Sequence, residues 1–67
     1  MTITLNNQIT EIEPHSTLAS LVLQHVGEKQ NGIAVAVNNA VIPKSNWEST
    51  TVNNQDEILI IKATQGG

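Results

Sequence analysis

The segment EILIIKA, residues 57–63, has the strongest strand pattern in this chain of 67 residues. It holds four consecutive branched aliphatic side chains, which favour extended backbone, and a turn-forming Asn-Asn-Gln-Asp run precedes it. Because successive side chains alternate between the two faces of a strand, Ile58 and Ile60 point one way and Leu59 and Ile61 the other. The segment therefore predicts a strand with apolar side chains on both faces.

The residues that follow, TQGG at 64–67, form a second distinctive feature. Gly66 and Gly67 carry no side chains, so the backbone and its terminal carboxylate can thread a narrow channel and adopt conformations closed to other residues. A carboxylate is inert until it is activated, and the chain holds no set of residues suited to that task. We therefore expect one domain over residues 1–63, a flexible diglycine tail over residues 64–67, and activation of the tail by another enzyme.

The first half of the chain predicts a hairpin followed by a helix. Apolar and polar residues alternate over residues 2–13 around a pair of asparagines, which is typical of a β-hairpin. Apolar residues then recur at helical spacing over residues 18–26. Either Ser16 or Thr17 is suited to cap the start of this helix, and Gly27 is suited to end it.

The second half predicts further strands around one polar segment. The Ile-Ala-Val-Ala-Val run at residues 33–37 predicts a central strand, a turn follows at residues 38–40, and residues 41–42 predict a short strand ended by Pro43. The sole aromatic residue is Trp47, in the middle of the polar segment. We interpret it as a side chain buried beneath that segment, and the alternative is an exposed anchor for a partner.

Strands segregated around a single helix are the pattern of an α+β fold with one sheet. We predict the β-grasp arrangement, a mixed four- to five-stranded sheet covered on one face by the helix. One apolar pair of the last strand must then lie on the uncovered face, where either loops cover it or it forms a docking surface. We expect Ile58 and Ile60 in the core, and Leu59 and Ile61 as the partner-docking surface.

The composition excludes several functional classes. With three lysines, no arginine and six acidic residues, the net charge is −3, so the chain lacks the basic patch that nucleic acid or an anionic membrane would require. It has no cysteine and hence no disulfide or cysteine-based zinc site, and a full predicted helix separates His15 from His25. The N-terminus does not resemble a signal peptide, and we expect a cytoplasmic protein that is not an enzyme.

Together these features resemble the ThiS-type sulfur carriers of thiamine biosynthesis, within the ubiquitin-like β-grasp family. The resemblance covers essentially the whole chain and is carried by NNQ at 6–8, TL at 17–18, AVNN at 36–39, VIPK at 41–44, Trp47, and ATQGG at 63–67. The diglycine is shared by all activated ubiquitin-like carriers, whereas the Asn, Pro and Trp spacing points to the thiamine branch. One departure is NQD at 54–56, where many members have Asp-Gly-Asp, although Asn54 and Asp56 can still form the turn.

The resemblance implies a mechanism centred on Gly67. An adenylyltransferase similar to the ubiquitin-activating enzymes would use ATP to adenylate the Gly67 carboxylate, with Gly66 and Gln65 required for this activation. Sulfur from a donor such as a cysteine desulfurase would displace AMP and leave a thiocarboxylate, which would supply sulfur to thiazole synthase. The carrier itself would contribute no catalytic residue, no metal ligand and no bound cofactor.

Three other functions share parts of this pattern. The small subunit of molybdopterin synthase uses the same diglycine chemistry, but it is usually longer and has an aromatic-proline run before the tail, where this chain has Thr64 and Gln65. A ubiquitin-like modifier would attach Gly67 to lysines of target proteins. In a plain β-grasp binding module the diglycine would be incidental, and deletion of Gly67 would leave the function intact.

Overall fold

A computed structural model describes residues 1–27 and 32–62 of the chain. Within these residues, the chain forms five strands, one α-helix and a short 3-10 turn at Lys44–Asn46. The elements are β1 (Thr2–Leu5), β2 (Gln8–Glu11), α1 (Leu18–Val26), β3 (Ile33–Val37), β4 (Ala40–Ile42) and β5 (Glu57–Lys62). None of the described helices is both long and apolar enough to cross a membrane.

The five strands form one mixed sheet in the order β2-β1-β5-β3-β4, so the last strand in the sequence is the central one. β5 runs parallel to β1 and antiparallel to β3, and both outer pairs are antiparallel hairpins. The helix packs on one face of this sheet through Leu18, Leu21 and Val22. The predicted α+β fold, a mixed sheet covered on one face by one helix, is confirmed.

Both hairpins turn on a pair of asparagines. Asn6 and Asn7 have φ of 49° and 67°, and Asn38 and Asn39 have φ of 50° and 71°. Positive φ at both central residues is what two-residue type I′ hairpin turns require, and asparagine tolerates it better than most residues. Because the second turn takes only two residues, Ala40 pairs with Val37 and begins β4. The prediction that Ala40 lies in the turn is therefore wrong.

The hairpin's second arm is shorter than predicted. β2 ends at Glu11, two residues before the expected end at residue 13. Ile12 still exchanges hydrogen bonds with Met1, whose carbonyl accepts from the Ile12 N–H at 2.9 Å. Pro14 lacks the N–H that would extend the strand, and His15 turns the chain away with a φ of 66°.

The helix start resolves the choice between two capping residues. The Thr17 hydroxyl oxygen accepts from the Ser20 N–H at 3.1 Å, which identifies Thr17 as the N-cap. Ser16 instead donates its hydroxyl to a carbonyl of the preceding turn. At the other end, Gly27 ends the helix as predicted, with a φ of 75° and its N–H donated to the Leu23 carbonyl at 2.8 Å.

The core lies between the helix and one face of the sheet. Its buried members come from β1, α1, β3, β5 and the segment between β4 and β5: Ile3, Leu5, Leu18, Leu21, Val22, Val35, Trp47, Val52, Ile58 and Ile60. Trp47 is buried, and its indole N–H donates to the Ile42 carbonyl at 2.9 Å. The interpretation of Trp47 as a core residue is thus confirmed, and the exposed anchor is excluded.

Candidate functional site

The two faces of β5 differ in burial as the alternation predicts. Ile58 is 0% exposed and Ile60 is 7% exposed, so this pair lies in the core beneath the helix. On the opposite face Leu59 is half-buried and Ile61 is 54% exposed. The assignment of the core pair is confirmed, and the other pair lies on the sheet face that the helix leaves uncovered.

The strand register extends this exposed surface beyond β5. Leu59 lies opposite Ala36, which in turn lies opposite Val41, and Ile61 lies opposite Ala34. Directly opposite residues share a face of the sheet, so these five side chains form one cluster, which we call the open-face patch. Val41 is 72% exposed, and the two alanines leave the middle of the patch shallow. The patch is therefore a nearly flat apolar surface.

One border of the open-face patch carries an acidic residue. Glu57 is exposed and lies two residues before Leu59 on the same strand, so it projects from the same face. Thr4 pairs with both Glu57 and Ile9, which places all three in one row across the sheet. A protein that covered this surface would need an apolar centre, and it would gain from a cation opposite Glu57.

Asn6 forms hydrogen bonds with the C-terminal half of β5. The Asn6 backbone N–H donates to the Ile58 carbonyl at 2.9 Å. Its side-chain Oδ1 accepts from the Ile60 N–H at 2.8 Å, and its Nδ2 donates to the Ile60 carbonyl at 3.3 Å. A carboxamide has the same donor and acceptor as a peptide group. The Asn6 side chain therefore replaces the backbone that β1 no longer supplies after Leu5.

Asn38 makes similar contacts at the N-terminal end of the same strand. Its backbone N–H donates to the Glu57 carbonyl at 2.8 Å, and its Oδ1 accepts from the Glu57 N–H at 2.9 Å. Its Nδ2 donates to the carboxylate of Asp56 at 3.0 Å. That carboxylate is buried and also accepts from the Asn53 N–H at 2.8 Å. The two hairpin turns thus hold opposite ends of the central strand.

The turn before β5 contains the departure from the family pattern. Gln55 has a φ of 69°, a conformation that costs an L-residue about 1–2 kcal/mol and that glycine adopts freely. The turn nevertheless forms: the Gln55 N–H donates to the Thr2 carbonyl at 2.6 Å, and the Asn54 side chain accepts from the Thr2 N–H at 2.9 Å. The expectation that these residues still make the turn is confirmed.

The predicted modified residue and its neighbours lie outside the described residues. Gly67, Gly66 and Gln65 all follow Lys62, which is the last residue that the structure describes. Lys62 pairs with Ile33 on β3 at the end of the central strand. Ile61 of the open-face patch is therefore adjacent to the last described residue of the central strand.

Other parts of the described structure offer less chemistry. A surface depression of about 440 Å³ lies at the other edge of the sheet, lined by Met1, Glu11, Glu13, Gln24 and neighbouring residues. It contains no residue of the open-face patch. Among residues 1–27 and 32–62, no three His, Cys, Asp or Glu side chains lie close enough together to hold a metal ion.

Sequence reasoning identified the open-face residues of β5 but missed Ala34, Ala36, Val41, Asn6 and Asn38. The first three join the patch through strand pairing, which a sequence pattern does not specify. The sequence pattern predicts only turns at the two asparagines, each of which lies at the first position of an Asn-Asn pair. A third pair, at residues 53–54, forms the turn before β5, so the pair by itself does not reveal the common role of Asn6 and Asn38.

Comparisons with known proteins agree with this architecture. A protein of Escherichia coli (strain K12) named sulfur carrier protein ThiS is 30% identical over 67 residues, and the alignment covers 100% of both chains. The crystal structure of the thiamine biosynthesis protein ThiS from Geobacter metallireducens superposes with a TM-score of 0.85. It is 19% identical and is also covered completely. That structural likeness establishes the fold.

The fold and the central strand define a small ubiquitin-like β-grasp protein. The sequence profile of the ThiS family matches residues 3–67. With this match and the E. coli relative, the chain belongs to the ThiS family.

Proposed function

We propose that this protein is a sulfur carrier whose Gly67 carboxylate is activated and then converted to a thiocarboxylate. In the first step an adenylyltransferase resembling the ubiquitin-activating enzymes joins the carboxylate oxygen to the α-phosphorus of ATP, and pyrophosphate leaves. The acyl adenylate is needed because a free carboxylate is a poor electrophile. ATP is bound and consumed by that enzyme, and the carrier binds no cofactor of its own.

In the second step sulfur replaces the adenylate. A persulfide or sulfide, supplied by a donor such as a cysteine desulfurase, attacks the Gly67 carbonyl carbon and AMP leaves. Where a persulfide is used, its attack gives an acyl disulfide, and a thiol then attacks the donor sulfur, which leaves the thiocarboxylate on Gly67 and a disulfide between that thiol and the donor. Thiazole synthase then takes up this sulfur as the thiazole ring of thiamine forms. The proposed compartment is the cytoplasm, since a chain with no cysteine has no requirement for an oxidising one.

The match to the ThiS family over residues 3–67 carries this proposal, because it includes the diglycine at residues 66–67. The E. coli relative aligned over its full length is named a sulfur carrier protein, and the Geobacter structure is titled a thiamine biosynthesis protein. The described structure is compatible with such a role, since the central strand leads directly into the tail.

The open-face patch is the proposed docking surface for the activating enzyme. Leu59 and Ile61 lie at its centre and at its tail-proximal end, so an enzyme seated there would be close to the start of the tail. Burying exposed apolar surface contributes about 25 cal/mol per Å², and aliphatic side chains in a flat patch need no rearrangement to be covered. Glu57 at the border favours a partner with a lysine or arginine opposite it.

The proposal is tested by pyrophosphate exchange into ATP, catalysed by the activating enzyme of the same organism. We expect exchange with the full chain and none after deletion of Gly67. The sheet lies upstream of this residue, so the deletion should leave the circular dichroism spectrum and thermal midpoint unchanged. Full function after deletion of Gly67 would identify a binding module. Gly67 joined to lysines of other proteins, without any thiocarboxylate, would identify a modifier.

A further inference from the structure

We propose that Asn6 is a positioning residue for the reactive tail: its carboxamide fixes the point on β5 from which the chain extends to Gly67. This inference rests on the proposed function, because it concerns how the Gly67 carboxylate reaches the activating enzyme. Asn6 itself lies in the first hairpin turn and is remote in sequence from the tail, with its contact to Ile60 spanning 54 positions.

The contacts place Asn6 where β1 stops supporting the central strand. The last pair in the parallel β1–β5 register is Leu5 with Ile58, after which the chain turns into β2. The Asn6 carboxamide then satisfies both backbone groups of Ile60, one as acceptor at 2.8 Å and one as donor at 3.3 Å. Aspartate would lack the donor and serine would be too short to span both groups. The φ of 49° further favours asparagine among the non-glycine residues.

This arrangement determines how much of the chain is supported from both sides. β3 pairs with β5 as far as Lys62, but on the β1 side the last contact among the described residues is that of Asn6 with Ile60. Without the carboxamide the last contact on that side would be the Asn6 N–H with the Ile58 carbonyl. The segment supported on one side only would then begin two residues earlier. At about 3.3 Å per extended residue, this lengthens the segment that only β3 supports by roughly 7 Å.

A longer segment that is supported on one side only lowers the fraction of bound carriers whose carboxylate is correctly placed. The change removes no side chain of the open-face patch, and β3 still pairs with this part of β5, so binding to the activating enzyme should largely persist. The loss should therefore fall on kcat for adenylation, while KM should change by less than about twofold. We expect kcat to fall about tenfold, since ordering roughly one additional backbone residue during catalysis corresponds to a factor of that size.

Asn38 provides a matched control within the same molecule. It has nearly the same φ, 50°, and it also lies at the first position of a hairpin turn. Its backbone N–H and carboxamide also contact β5, through Glu57, at the end of the strand away from the tail. Removing either carboxamide takes a side-chain contact from the backbone of the central strand, and the Asn38 change also removes a donor from the buried Asp56 carboxylate. Only Asn6 lies next to the tail-proximal end, so a general loss of stability should be at least as large in the Asn38 variant.

The experiment compares Asn6→Gly with Asn38→Gly in the full chain, since glycine adopts the positive φ and removes the side chain that carries the carboxamide. Amide hydrogen exchange should accelerate at Ile60 in the first variant and at Glu57 in the second. Adenylation by the activating enzyme is measured at a temperature where both variants are fully folded. We expect the tenfold loss of kcat for Asn6→Gly alone, and a kcat within twofold of the parent for Asn38→Gly.

A second control keeps the inference testable if the first turn is sensitive to glycine. Asn7→Gly changes the neighbouring position of the same turn, where φ is 67°, and should leave kcat within twofold of the parent. Equal losses in the Asn6 and Asn38 variants would show that Asn6 acts only through general stability. An unchanged kcat in Asn6→Gly despite faster exchange at Ile60 would also overturn the inference. Absence of adenylation in the parent chain would instead refute the proposed function.

Discussion

Replacing Ile58 and Ile61 by alanine, one at a time, tests the assignment of the two sheet faces on a single strand. The two residues are chemically identical and three positions apart, but Ile58 is fully buried whereas Ile61 is 54% exposed. Any difference in the cost of the two changes therefore reflects their environments. The free energy of unfolding is the quantity to compare.

The expected costs follow from the burial. An isoleucine-to-alanine change removes three carbon groups, worth about 2.4 kcal/mol at roughly 0.8 kcal/mol each when fully buried. At Ile58 a cavity adds to this, which brings the expected cost to about 3–4 kcal/mol. At Ile61 less than half of the side chain is buried and solvent fills the space, so the expected cost is about 1 kcal/mol. The Ile58 change thus removes a large share of the roughly 3–10 kcal/mol expected for a domain of this size.

Urea unfolding measures both costs, with Trp47 as an intrinsic probe because it is the sole tryptophan and is buried. Circular dichroism of the same samples checks that the transition is two-state. Ile58→Val, which removes one carbon group, should cost about 0.5–1.5 kcal/mol and serves as a milder variant. Equal costs for the two alanine variants, or a larger cost at Ile61, would show that the faces of β5 are assigned the wrong way round.

Three further changes test other parts of the structure. Leu59→Asp and Ile61→Asp should each weaken binding to the activating enzyme at least tenfold, about 1.4 kcal/mol, with the fold retained. Leu23→Asp on the helix should not weaken this binding, which is measured by calorimetry. Unfolding of both patch variants would contradict the open-face assignment. Gln55→Gly should raise the free energy of unfolding by up to about 1 kcal/mol, because glycine adopts the positive φ without strain, and Gln55→Ala should not. Both variants are compared with the parent by urea unfolding. A loss of stability in the glycine variant would contradict this prediction. Trp47→Phe should lower the free energy of unfolding by about 1–3 kcal/mol, since the Ile42 carbonyl loses its donor and the core loses volume. An unchanged thermal midpoint, measured by circular dichroism, would argue against that contact.

Local sequence patterns predicted most of the fold because they are pronounced in this chain. Alternation in residues 57–63 determined both the strand and its buried face, and the paired asparagines marked both hairpin turns. The errors occurred where neighbours decide the outcome. Ala40 joined a strand because the turn before it needed only two residues, and β2 ended at Glu11, which pairs with Thr2 at the start of β1.

The candidate site was predictable only in part. Leu59 and Ile61 follow from strand alternation, but their partners Ala34 and Val41 depend on which strands lie side by side. The role of Asn6 depends on a contact across 54 positions, which no local pattern contains. Its identity as asparagine was visible in the sequence, whereas the strand that it supports became visible only in the folded chain.

Sulfur loading is tested most simply by the intact mass of the chain after incubation with ATP, the activating enzyme and a sulfur donor. We predict a mass increase equal to the exchange of one oxygen for sulfur, located on Gly67 by fragmentation and absent from the chain that lacks Gly67. An unchanged mass, under conditions where the same activating enzyme demonstrably adenylates Gly67 and the donor is active, would contradict the assignment of this protein as a sulfur carrier.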